Sequence, residues 1–94
     1  MELLQFAIPQ RLGEKVAEAV TLVSGGATLI TGGLGWWVNG DGLVEREPVS
    51  LLLVGVVERD VNLVIEIVKE ILRAEKESAV WYVRGGKPVL EWLQ

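Results

Sequence analysis

Apolar residues recur at helical spacing in two stretches of this chain and form nearly unbroken runs in others, and the switches between the two patterns divide it into elements. Residues 3–8 (LLQFAI) predict a short strand, ended by Pro9, which cannot donate to a ladder. Leu12, Val16, Val20 and Val23 then recur at helical spacing, with Arg11, Glu14, Lys15 and Glu18 on the outer side. They predict a first helix closed by Ser24-Gly25-Gly26. Residues 27–31 resume an extended pattern. Gly32, Gly33 and Gly35 interrupt it before Trp36-Trp37-Val38, which predicts a bulge or bend. Asn39-Gly40-Asp41-Gly42 is the strongest hairpin signal, because these residues tolerate the positive φ of tight turns.

The chain returns through Leu43 and Val44 to residues 49–57, its most continuous apolar run. Pro48 marks an edge or bulge where the hairpin projects past the sheet. Asp60 is the expected N-cap of a second helix reaching Glu75, with Asn62, Glu66, Lys69, Glu70 and Arg73 as its polar stripe. Residues 78–83 predict a fourth strand and Arg84-Gly85-Gly86 a turn. Residues 88–93 predict a short closing helix or an extended tail.

The order strand, helix, strand, strand, helix, strand predicts an α+β ferredoxin-like sandwich forming a single domain over residues 1–94. It would have an antiparallel four-stranded sheet, both helices on one face, and a long hairpin between the second and third strands. A sheet covered on one face should alternate apolar with polar residues, and these strands do not. In the third strand Val49, Leu51, Leu53 and Val57 share one face, and Leu52, Val54 and Val56 the other. Leu4, Phe6 and Ile8 stand against Leu3 and Ala7 in the first, and Val80 and Tyr82 against Ala79, Trp81 and Val83 in the fourth. A lone copy would expose a large apolar sheet surface, so a homo-oligomer with sheets packed together is expected. The tail is too short to cover that surface.

Composition narrows the chemistry. Zero Cys excludes disulfides and thiolate metal sites, and zero His removes the commonest metal ligand and the usual general base. A net charge of −4 with scattered Lys and Arg argues against nucleic acid as a partner. No apolar run approaches the roughly 20 residues of a membrane helix and no signal-peptide core is visible, so a cytoplasmic protein without membrane insertion is expected. No nucleophile constellation can be read, so the expectation is a protein that is not an enzyme. No cofactor is indicated.

The candidate residues cluster near the hairpin. Trp36 and Trp37 point to opposite faces, so one ring can enter the core while the other meets a partner copy. Packing is favoured over a ligand wall. Gly33 and Gly35 can let backbone amides approach an anion, although they match no phosphate-binding loop and a bend is preferred. Asp41, Glu45 and Glu47 can hold a hard cation or, as the preferred reading, form a solvated projection that blunts edge pairing. Arg46, Arg59, Arg84 and Lys87 stand at element ends where they can face an anionic ligand, with surface solubility as the preferred reading for any single one. Trp92 is expected to pack, closing a cleft or a neighbouring subunit's edge.

Trp36-Trp37, the turn, the acidic segment Glu45-Arg46-Glu47 and Leu51-Leu52-Leu53-Val54 resemble the CutA family. Gly85-Gly86-Lys87-Pro88-Val89-Leu90-Glu91-Trp92-Leu93 is similar to that family's closing motif. The resemblance covers roughly residues 27 to 93. It implies a PII-like homotrimer with its sheets packed inside and ligands in the subunit clefts. Gly55-Val56 stand where the family carries Lys-Thr, and Ala74-Glu75-Lys76-Glu77-Ser78 replace its His-Pro-Tyr-Glu-x-Pro segment. The family's strand-two cysteine is missing, so its soft-metal ligands are lost. No glycine-rich nucleotide loop precedes the fourth strand.

The resulting expectation is a divergent, trimeric CutA-like or PII-like signalling protein that binds a small molecule, nucleotide or ion. Its cleft would use Trp36, Trp37, Gly33, Gly35, Arg84, Lys87 and Trp92. The alternative is a structural module that meets a protein partner through the hairpin tip, residues 38–47, with Asn39, Asp41, Glu45, Arg46 and Glu47 in contact.

Overall fold

The computed structural model describes residues 1–94. Strand β1 (Glu2–Pro9) leads through a 3-10 turn (Gln10–Leu12) into α1 (Gly13–Ser24). Strands β2 (Thr28–Val38) and β3 (Val44–Val56) form the long hairpin. A second 3-10 turn (Glu58–Asp60) opens α2 (Val61–Ala74), and β4 (Ala79–Arg84) and β5 (Lys87–Trp92) close the chain. The sheet is antiparallel throughout, in the order β2-β3-β1-β4-β5.

It therefore has five strands where the sequence predicts four, and residues 87–92 are neither helix nor loose tail. Gly85 and Gly86 both take positive φ, 58° and 75°, the geometry of a two-residue hairpin turn, and return the chain along β4. Pro88 is tolerated because β5 is an edge. Polar contacts fix its position. The Tyr82 hydroxyl donates to Glu91 Oε2 at 2.8 Å, Lys69 Nζ donates to Glu91 Oε1 at 3.4 Å, and the Leu93 amide donates to the Ser78 carbonyl at 2.8 Å.

The core lies between the helices and one face of the sheet. Leu4, Phe6 and Ile8 of β1, Leu52, Val54 and Val56 of β3, and Val80 and Tyr82 of β4 are buried there. They pack with Val16 and Val20 of α1 and Val64, Val68 and Leu72 of α2. Phe6 and Tyr82 stack at 5.2 Å between ring centres. Both helices thus cover the even-numbered positions of these strands.

Asp60 does not cap α2 with its side chain. It sits inside the 3-10 turn at φ −102°, ψ −2°, its amide bonded to Val57, whereas a capping side chain needs an extended residue ahead of the helix. Where α1 crosses the sheet, a Cβ on Gly13 would stand 3.2 Å from the Leu29 side chain and 3.3 Å from the Ser50 hydroxyl. That hydroxyl is buried and has no hydrogen-bond partner.

The other sheet face is open. Ile30, Leu51, Ala7, Trp81 and Leu90 are register partners in sequence across all five strands, forming one apolar row. Four of them are 37–58% exposed, with Ala7 half-buried at the centre. Neighbouring rows add Leu3, Leu53 and Val83, with Gln5 the polar residue between the last two. Both apolar parities read from the sequence are present, and only one is covered within the chain.

The bulge expected from the glycines lies between Ile30 and Gly33, where Thr31 and Gly32 stand opposite the single residue Ser50. Gly32 takes φ 89°, a conformation that side-chain-bearing residues rarely adopt.

Candidate functional site

Pairing between β1 and β3 ends at Pro9–Val49, so beyond Pro48 the hairpin extends past β1, with β2 on one side of β3 and no strand on the other. Its tip is ordered by Asn39. The side-chain carbonyl of Asn39 accepts from the amides of Asp41 at 2.9 Å and Leu43 at 3.0 Å, and the Asn39 amide donates to the Leu43 carbonyl at 2.8 Å.

The projecting hairpin, the end of β1 and the start of β4 enclose a concavity of ≈ 840 Å³. This is the size of a small-molecule site. All four tryptophans of the chain line it. Trp37, paired with Glu45, lies on the open face, as do Trp81, paired with Ala7, and Trp92, paired with Ala79. Trp36, one residue out of phase with Trp37, borders the cavity from the hairpin. Val49 and Leu90 contribute apolar surface, and Glu47, Lys76 and Glu77 bring charge.

Neither Trp36 nor Trp37 enters the core. They are 61% and 42% exposed, because the hairpin carrying them runs beyond the elements that could cover it. Trp92 is 72% exposed, so it is not a packing anchor within one chain.

The electrostatics centre on Glu47. Burial raises its pKa above the usual 4.5, and the nearby Glu77 carboxylate raises it further. Arg11 opposes that rise and Glu45 adds slightly to it. Arg11 is engaged elsewhere, donating to Glu77 Oε2 at 3.0 Å and to Glu75 Oε1 at 3.4 Å. Glu47 takes part in none of the seven ion pairs of the chain. A smaller hollow of ≈ 350 Å³, lined by Pro9, Gln10, Arg11 and Pro48, also reaches Glu47.

Trp36, Trp37, Gly35, Trp92, Asn39 and Glu47 therefore come together. Gly33 and Gly35 serve the neighbouring strand. A Cβ on Gly33 would lie 3.1 Å from the Val49 carbonyl oxygen, and one on Gly35 3.0 Å from the Val49 side chain. Arg84 and Lys87 do not join the group. They flank the β4–β5 turn, five residues along β4 from Ala79, roughly 17 Å away at the usual strand rise. Arg84 is also held by Glu2 at 3.3 Å and Asn62 at 3.0 Å.

Arg46 pairs with Trp36 in the ladder, and Arg59 lies in the turn before α2. Asp41 is at the tip and Glu45 and Glu47 are on β3. No group of three or more acidic side chains gathers closely enough to hold a metal ion.

Trp81, Leu90 and Glu77 are site residues that sequence reasoning passes over. The signal for Trp81 was its place on the uncovered parity of the fourth strand. No protein-family model matches the chain, and no curated protein matches it.

Proposed function

We propose that this chain is a non-enzymatic binding protein that works as a homo-oligomer, with its open sheet faces packed against one another and a ligand held where the tryptophan concavity meets a neighbouring copy. The observation that carries this reading is the uncovered row Ile30–Leu51–Ala7–Trp81–Leu90 and its apolar neighbours. Solvent-facing sheet surfaces ordinarily alternate with polar residues, and a face this largely apolar is removed from water by assembly. Four of the strands follow the ferredoxin-like order β2-β3-β1-β4, with β5 as an addition. Together with the resemblance to CutA and PII-like proteins, this favours three copies around a common axis.

Sedimentation at micromolar concentration tests the reading. The expected mass is three times that of the chain. Leu51→Lys should reduce it to one chain while leaving the far-ultraviolet spectrum unchanged, because the charge falls on the open face and not in the core. A single-chain mass for the unaltered protein would overturn it.

A second reading has its own observation. Val38, Leu43 and Val44 expose apolar surface around the Asn39 turn, which suits contact with another protein at the tip. Deleting residues 38–44 should then abolish partner capture without changing the mass.

A further inference from the structure

The tryptophan concavity combines two features that point to one ligand chemistry. First, four indoles border a single small hollow. An indole face is electron-rich and attracts positive charge, more strongly where water is excluded. Second, one carboxylate on the same wall makes no ion pair, Arg11 lying near enough to act on it but bonded to Glu75 and Glu77 instead. Glu47 is half-buried and unpaired, while its neighbour Glu77 is neutralised by Arg11. Lys76 is the one cation on the lining, and it is exposed at the rim.

An anion would meet two carboxylates and the faces of aromatic rings. A hard metal ion would need several oxygen ligands, which indole walls do not supply. A cation with apolar substituents sheds its water readily and suits both features.

We infer that the concavity binds a small organic cation of the quaternary or alkylammonium class, seated against Trp37, Trp81 and Trp92 with its charge toward Glu47. The inference rests on the binding reading above and names the ligand class of the same site. The hairpin supplies Trp37 and Glu47, the β4–β5 hairpin supplies Trp81 and Trp92, and the cation would bridge the two.

The full chain should be titrated with choline chloride and tetramethylammonium chloride, with sodium chloride as the salt control. A parallel titration uses 3,3-dimethylbutan-1-ol, the neutral carbon counterpart of choline. Tryptophan fluorescence and calorimetry report binding, and sedimentation of the same samples reports assembly. Saturable binding of both ammonium compounds is expected, with the neutral alcohol at least about tenfold weaker.

Glu47→Gln should weaken the ammonium compounds about three- to tenfold and leave the alcohol unaffected. This variant retains the shape of the carboxyl group and lies outside the core, so it separates lost charge from lost folding. Trp81→Leu should reduce ammonium binding further.

Equal affinity for choline and the alcohol, or no saturable response to either ammonium compound, would overturn the inference. An oligomer without ammonium binding overturns it alone. Ammonium binding to a single-chain species supports it while removing the assembly reading.

Discussion

The two faces of this sheet are built from the same strands, one residue apart, yet one is sealed and the other open. On the sealed face Phe6, Leu52, Val54 and Tyr82 meet α1 and α2 and lose essentially all contact with water. On the open face Leu51, Trp81 and Leu90 are similarly apolar, touch only their sheet neighbours and stay 37–58% exposed, because no helix covers them. Hydrophobicity alone therefore does not distinguish a core position from a surface awaiting cover. The source of the cover makes the difference, and it gives each face a different dependence on protein concentration.

Substitutions can break that comparison. Phe6→Ala removes a fully buried ring and should cost about 3–5 kcal/mol in urea unfolding, by the same amount at every protein concentration. Leu51→Ala should cost more as concentration rises, because its burial comes from other copies. Equal, concentration-independent losses would mean that the open face is not an interface.

Tyr82→Phe tests how β5 is attached to the sealed face. Losing the hydroxyl leaves Glu91 without its short bond and should cost about 1–2 kcal/mol. It should also alter the alkaline limb of stability. Burial and the bond to Glu91 push the Tyr82 pKa up to about 12 from 10, so the folded state holds this proton more tightly than the unfolded chain. The associated stability is complete below pH 10 and is lost as pH rises through 12. The Phe variant should lack that decline.

The smallest effect expected is a gain. Ser50→Ala removes a buried hydroxyl without a partner and should raise stability by about 1 kcal/mol in the same unfolding assay. A loss of that size would show that the hydroxyl has a partner in solution, such as a bound water.

The element pattern was largely legible because the helices carry a polar stripe at helical spacing and Gly, Pro and Asn-Gly signals bound the apolar strand runs, and the two-sided apolar character of residues 49–57 was visible at once. The fifth strand was not. Residues 87–92 begin with Lys-Pro and hold one β-branched residue, and only the edge position and the Tyr82–Glu91–Lys69 contacts make them a strand. That omission carried over to the site. Without the β4–β5 ladder, nothing places Trp92 one row from Trp81. Arg84 and Lys87 invited grouping with the tail tryptophan because they are close in sequence, and strand direction separates them.

Asp60 shows the opposite error: a residue of the right type just ahead of a helix, but in the wrong backbone conformation to cap it.

The bulge at Thr31-Gly32 has a consequence for the hollow far from its own position. Before it, residues of β2 and β3 that face each other have numbers summing to 81, as in Ile30–Leu51; after it they sum to 82, as in Gly33–Val49. The bulge absorbs the extra residue locally, so the ladder beyond it keeps Trp37 opposite Glu45 on the open face and Trp36 opposite Arg46. Regular pairing of the same residues, without the bulge, would set Trp36 opposite Glu45 and send Trp37 to the other face. The two adjacent tryptophans act as alternative letters in one slot, and the kink in a glycine-rich spacer, not its length, selects between them.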